Sequence, residues 1–86
     1  MDTHTRINDL GFISYLLIQE FKPSHPPENS NEMLVYFFKP TPELEQERQK
    51  YYSGRSLVDA FAFYRTLQGL KLQARRMRTE REVRYE

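Results

Sequence analysis

The chain has 86 residues, enough for one domain with a modest core, and no cysteine, which excludes a disulfide framework and a thiolate metal site. Net charge is +1 but unevenly placed: residues 1–64 carry six Lys/Arg against nine Asp/Glu, residues 65–86 seven against three. The basic C-terminal part, not the total, is the electrostatic clue.

Met1, Asp2, Thr3 and His4 lack the basic-then-apolar layout of a signal peptide. The longest apolar window, residues 10–18, is half of what a membrane span needs and holds Gly11 and Ser14. A soluble cytoplasmic protein with no membrane partner is expected. Residues 3–7 favour a short strand through their threonines and Ile7. Asn8 or Asp9 can cap a helix running to about Glu20. Leu10, Ile13, Leu17 and Phe21 share one side of it, and Phe12, Leu16 and Ile18 widen the apolar area. A helix this apolar is expected to be buried.

A second strand is expected to open at Phe21 and Lys22. Residues 23–32 then read as a loop, because three prolines and small polar residues hold neither ladder nor helix. Residues 33–39 form the clearest strand. Leu34, Tyr36 and Phe38 point one way; Met33, Val35 and Phe37 point the other. Both faces are apolar, and a two-layer domain covers only one of them with its own helices. The second face therefore needs a cover from the same chain or a partner docked on Met33, Val35 and Phe37.

Thr41 followed by Pro42, Glu43 and Glu45 is a helix start, and this helix is expected to run to about Ser53. Gly54 tolerates positive φ and can end it. Ser56 is expected to cap the last and longest helix, residues 56–84, with Asp59 in its first turn. Ala60, Phe63, Leu67, Leu70, Ala74 and Met77 make its apolar stripe, widened by Val58, Phe61, Ala62 and Tyr64. At ~1.5 Å per residue it reaches roughly 40 Å, longer than so small a domain is wide. Residues 1–72 are thus expected to form the domain and residues 73–86 a basic helical extension.

The fold expected is α+β: a small antiparallel sheet of two or three strands, packed on one face by three helices, the C-terminal one long and basic. The expected core is Leu10, Ile13, Leu16, Leu17, Leu34, Tyr36, Phe38, Leu44, Tyr52, Phe61, Phe63, Tyr64, Leu67 and Leu70.

No catalytic constellation is visible, so no enzyme, cofactor or small-molecule substrate is expected. The glycines are isolated, and His4 and His25 are the only histidines. His25 and Glu28 are three apart, but Pro26 and Pro27 exclude the helix that would align them on a metal. Glu43, Glu45 and Glu47 read as a solvated helix face. The basic tail carries the sharpest functional expectation: Lys71, Arg75, Arg76, Arg78, Arg81 and Arg84 suit phosphate oxygens, as on a helix that follows a nucleic-acid backbone. Against it, Arg76, Glu80 and Arg84 repeat by four, as do Arg78 and Glu82, and can form ion pairs that merely support the helix. Exposed Tyr36, Phe37 or Phe38 would offer a base-stacking platform, although core packing accounts for most of the aromatics. Two functions stand: a small non-enzymatic accessory protein binding nucleic acid, DNA or RNA, through its basic helix, or a protein-interaction module, as a homodimer or a subunit of a larger complex, using the second sheet face or the helix extension.

The run Tyr52-Ser53-Gly54-Arg55-Ser56-Leu57-Val58-Asp59-Ala60, followed by Phe63, Leu67, Leu70 and Lys71, resembles a family of small prokaryotic and phage-associated proteins, the domain of unknown function 5659. Element order is similar too, with Asp9-Leu10 opening an early helix and Val35-Tyr36-Phe37-Phe38 in an aromatic strand. The likeness covers roughly residues 5–72. The Pro-rich loop is longer than is usual for that family, and the tail after Leu72 is an addition. The resemblance implies a fold and a phage or mobile-element setting, and brings no catalytic residues.

Overall fold

The computed structural model describes residues 4–30 and 33–84, with side chains as far as Met77. Its elements are β1 (Thr5–Ile7), α1 (Leu10–Ile18), β2 (Glu28–Ser30), β3 (Met33–Phe38), α2 (Pro42–Tyr52) and α3 (Ala60–Arg84). The three strands form one antiparallel sheet in the order β1-β3-β2, so the most apolar strand is central. With three helices, the last the longest, the fold is α+β.

Local chemistry accounts for the helix ends. The Asp9 carboxylate accepts from Gly11 N at 3.0 Å and Phe12 N at 3.2 Å, opening α1. Thr41 Oγ1 accepts from Leu44 N at 3.1 Å, with Pro42 in the first turn of α2. At the other end of α2, Gly54 takes φ +78° and Arg55 N donates to Lys50 O, so the last carbonyls keep partners.

The core is continuous from Ile7 through Phe12, Ile13, Tyr15 and Leu16 to Leu34, Tyr36, Phe38, Leu44 and Leu70. Five consecutive residues of α1, Phe12 to Leu16, are buried. Ser14 is tolerated there because its hydroxyl donates to Leu10 O at 2.8 Å. Each buried Phe, Leu or Ile contributes about 1.5–3 kcal/mol by leaving water. Tyr36 keeps its hydroxyl satisfied by donating to Gln73 of α3 at 3.0 Å.

Four expectations are corrected. First, α3 begins at Ala60, and its cap is Asp59, not Ser56: Asp59 Oδ1 accepts from Phe61 N at 2.9 Å and Ala62 N at 3.3 Å. The reason is the hydrophobic pair on either side. Val58 just before the cap and Phe63 in the first turn both pack on the core, and a start at Ser56 would offer Arg55 and Ala60 instead. Second, the strand expected at Phe21 and Lys22 is reduced to one bridge, Pro23 with Phe38. The loop expected over 23–32 instead contains β2, whose Glu28, Asn29 and Ser30 follow the last proline and pair with β3 from the edge.

Third, Tyr52, Phe61 and Tyr64 are exposed rather than in the core, whereas Ile7, Phe12 and Tyr15 are buried in it. On α3 only the side bearing Phe63, Leu70, Ala74 and Met77 meets the core. Phe61 and Tyr64 turn away from it. Fourth, packing does not stop at Leu72, the expected limit of the domain. Helix α3 runs on unbroken, and Ala74 and Met77 still pack on the core.

Most of the second sheet face is closed by the chain itself. Val35 and Phe37 are 3% and 7% exposed. The His25 ring meets the Phe37 ring edge-on at 5.4 Å, and the His4 ring lies tilted beside His25, centroids 3.7 Å apart, with its Nδ1 hydrogen-bonded to Ser24 Oγ. Arg6 of β1 reaches Ser30 of β2 at 3.4 Å, crossing the central strand. The Pro-rich segment thus supplies part of the cover.

Candidate nucleic-acid interface

Helix α3 has two sides of different chemistry. The inner side follows three-and-four spacing through Phe63, Leu67, Leu70, Ala74 and Met77. One helical turn holds 3.6 residues, so Phe61, Tyr64, Arg65, Gln68, Lys71, Leu72, Arg75 and Arg76 fall on the outer side, and all eight are exposed. Tyr64, Lys71 and Arg75 lie along one row of this side. Phe61, Arg65, Leu72 and Arg76 lie along the next.

The charge on this side has one sign. Between Asp59 and Glu80 the chain has no acidic residue, while Arg65, Lys71, Arg75 and Arg76 on this side are all cationic. From Phe61 to Arg76 the rows span about 22 Å at the α-helical rise. Two aromatic rings open the rows: Phe61 is 67% and Tyr64 59% exposed. The Arg65 guanidinium lies over the Phe61 ring, 5.5 Å from its centroid, a cation–π arrangement.

The structure therefore brings Lys71, Arg75 and Arg76 of the expected set together on one exposed surface. The side chains of Arg78, Arg81 and Arg84 lie outside the described residues, as do the pairs expected of them with Glu80 and Glu82. Phe61, Tyr64 and Arg65 belong to this surface and were not expected there. The stripe itself carried the signal: Phe61 is nine residues before Leu70, two and a half turns, and so on the opposite side.

The partner residues expected on the sheet are largely out of reach. Val35 and Phe37 are buried beneath the chain's own cover, which leaves Met33, 48% exposed, beside a shallow depression of about 280 Å³ lined by Arg6, Asn8, Ser30, Met33 and Val35. Tyr36, Phe37 and Phe38 are also buried, so the sheet offers no stacking platform.

A second polar cluster joins α1 to α2. Tyr15 donates to Glu47, and Tyr52 donates to Asp9 Oδ2 at 2.5 Å, while the other oxygen of Asp9 caps α1. Glu47 is thus half-buried and bonded, a correction to its placement on a solvated face; Glu43 and Glu45 are exposed as expected. Phe12, Tyr51 and Tyr52 pack with ring centroids 5.0–5.4 Å apart. Burial first, then the Glu47 carboxylate, pushes the Tyr15 hydroxyl up to about 12. Burial and Asp9 push Tyr52 up to about 12 as well. Both hydroxyls hold their protons and join two helices.

Among the described residues no group of three or more His, Asp or Glu is placed to hold a metal ion, and no helix is long and apolar enough to cross a membrane. No family model, curated protein or solved structure matches the chain significantly.

Proposed function

We propose that the protein is a small non-enzymatic accessory protein that binds nucleic acid through the outer side of α3. The observation that carries this is the single sign of charge there: exposed Arg65, Lys71, Arg75 and Arg76 with no acid between Asp59 and Glu80. Such a side attracts a polyanion along its whole length, and guanidinium forks pair with phosphate oxygens. A cytoplasmic location and the likeness to the phage-associated family belong to the same proposal. A second function, protein association, draws on Leu57, Phe61 and Leu72, which are exposed on or just before the same helix.

Fluorescence anisotropy with labelled DNA and RNA tests the first function. The K71E/R75E/R76E variant is expected to lose binding while remaining folded by circular dichroism. Wild-type affinity is expected to fall with salt, with a log–log slope of about −0.7 to −0.9 per phosphate neutralised. An affinity unmoved by the triple charge reversal refutes the proposal.

A further inference from the structure

We infer, resting on that proposal, that the nucleic acid taken by α3 is single-stranded, and that Phe61 and Tyr64 are the residues on which its bases stack. Two large rings on water-facing positions are left unused by the fold: Phe61 and Tyr64 are 67% and 59% exposed, while the core is complete without them. They are three apart on one helix, so they stand side by side, about 5–6 Å apart at Cβ. In a duplex the base faces are stacked on one another, and only edges reach the grooves. A pair of rings on a helix surface then has no face to meet. In a single strand the faces are free, and every base offers one, so stacking needs no particular sequence.

The charges are arranged to match. Arg65 already lies over the Phe61 ring, and its guanidinium plane can carry a base in turn. Lys71 and Arg75 continue the Tyr64 row about two and three turns on, where the backbone of a strand leaving the rings would pass. A second copy of this chain is a poorer occupant, because it would set Lys71, Arg75 and Arg76 against the same charges. The rings and the cations together fit a polyanion with flat, unpaired bases.

The test compares a labelled oligothymidylate with a labelled duplex of the same length, using the whole chain. Wild type is expected to bind the oligothymidylate at least about tenfold more tightly than the duplex. F61A/Y64A is expected to lose about tenfold or more for the single strand, within the range measured for base–aromatic stacks, and to keep its duplex affinity and melting temperature. F61W is expected to retain single-strand binding, with its emission quenched on adding oligothymidylate; this arm stands even if the double variant fails to fold. Equal binding of both probes, unchanged in F61A/Y64A, overturns the stacking inference and leaves nucleic-acid binding in place. Binding of neither probe overturns both.

Discussion

Helices α1 and α3 open alike and are covered differently. Each is capped by an aspartate whose Oδ1 accepts two backbone N–H groups, Asp9 in one case and Asp59 in the other. Each then runs into apolar residues, LGFISYLLI and AFAFY. In α1 the residues from Phe12 to Leu16 are all buried, because α2, α3 and the inner sheet face surround it. In α3 the same kind of residue divides: Phe63 packs on the core while Phe61 and Tyr64 face water. The lesson is that burial belongs to a position and its neighbours, not to a side chain. An aromatic that the fold does not cover is available for something else.

The contrast breaks most sharply under alanine substitution. Phe12→Ala is expected to cost about 3–5 kcal/mol in urea unfolding, since it empties a fully enclosed site. Phe61→Ala is expected to change stability by no more than about 0.5 kcal/mol. Comparable losses in the two variants would mean that α3 is covered after all.

Alkali sharpens the same contrast, because Tyr15 and Tyr52 both tie α1 to α2. The folded state holds their hydroxyls neutral up to about 12, against 10 for a free tyrosine. The raised value means that their stabilisation is complete below pH 10 and is lost as pH climbs from 10 towards 12. The melting temperature is expected to fall over that window, and less steeply in Tyr15→Phe, which has no proton to lose. A profile that is the same in wild type and variant would remove Tyr15 from the account.

The smallest effect separates the two caps. Asp59→Ala is expected to cost about 1 kcal/mol, the usual worth of an N-cap. Asp9→Ala is expected to cost about 2 kcal/mol, because Tyr52 then loses its charged acceptor as well. Equal losses from chemical denaturation would show that the Tyr52 bond contributes nothing.

Much of the fold was legible in order along the chain. A cap at Asn8 or Asp9, the cap at Thr41, the stop at Gly54 and the strand through Leu34, Tyr36 and Phe38 all depend on residues within a few positions of one another. Lys71, Arg75 and Arg76 of the candidate site were legible for the same reason, while Arg65 was not singled out. Its aromatic half was not. Phe61 and Tyr64 sit in an apolar run, and a run reads as core until it is known that nothing packs on its far side.

The order of residues was thus enough to determine the three helices, the apolar strand β3 and the sign of the charge on α3. These follow from short-range sterics, capping hydrogen bonds and periodicity. The tertiary structure alone decided what lies against what. Tyr52 meets Asp9 from 43 residues away, Arg6 crosses to Ser30 from 24, and His25 closes over Phe37 from a loop that reads as mere connection. It also decided that Asp59, not Ser56, starts α3, because the choice turns on whether Val58 and Phe63 can reach the core together. Long-range packing selects among local options of nearly equal energy, and that selection left Phe61 and Tyr64 facing water.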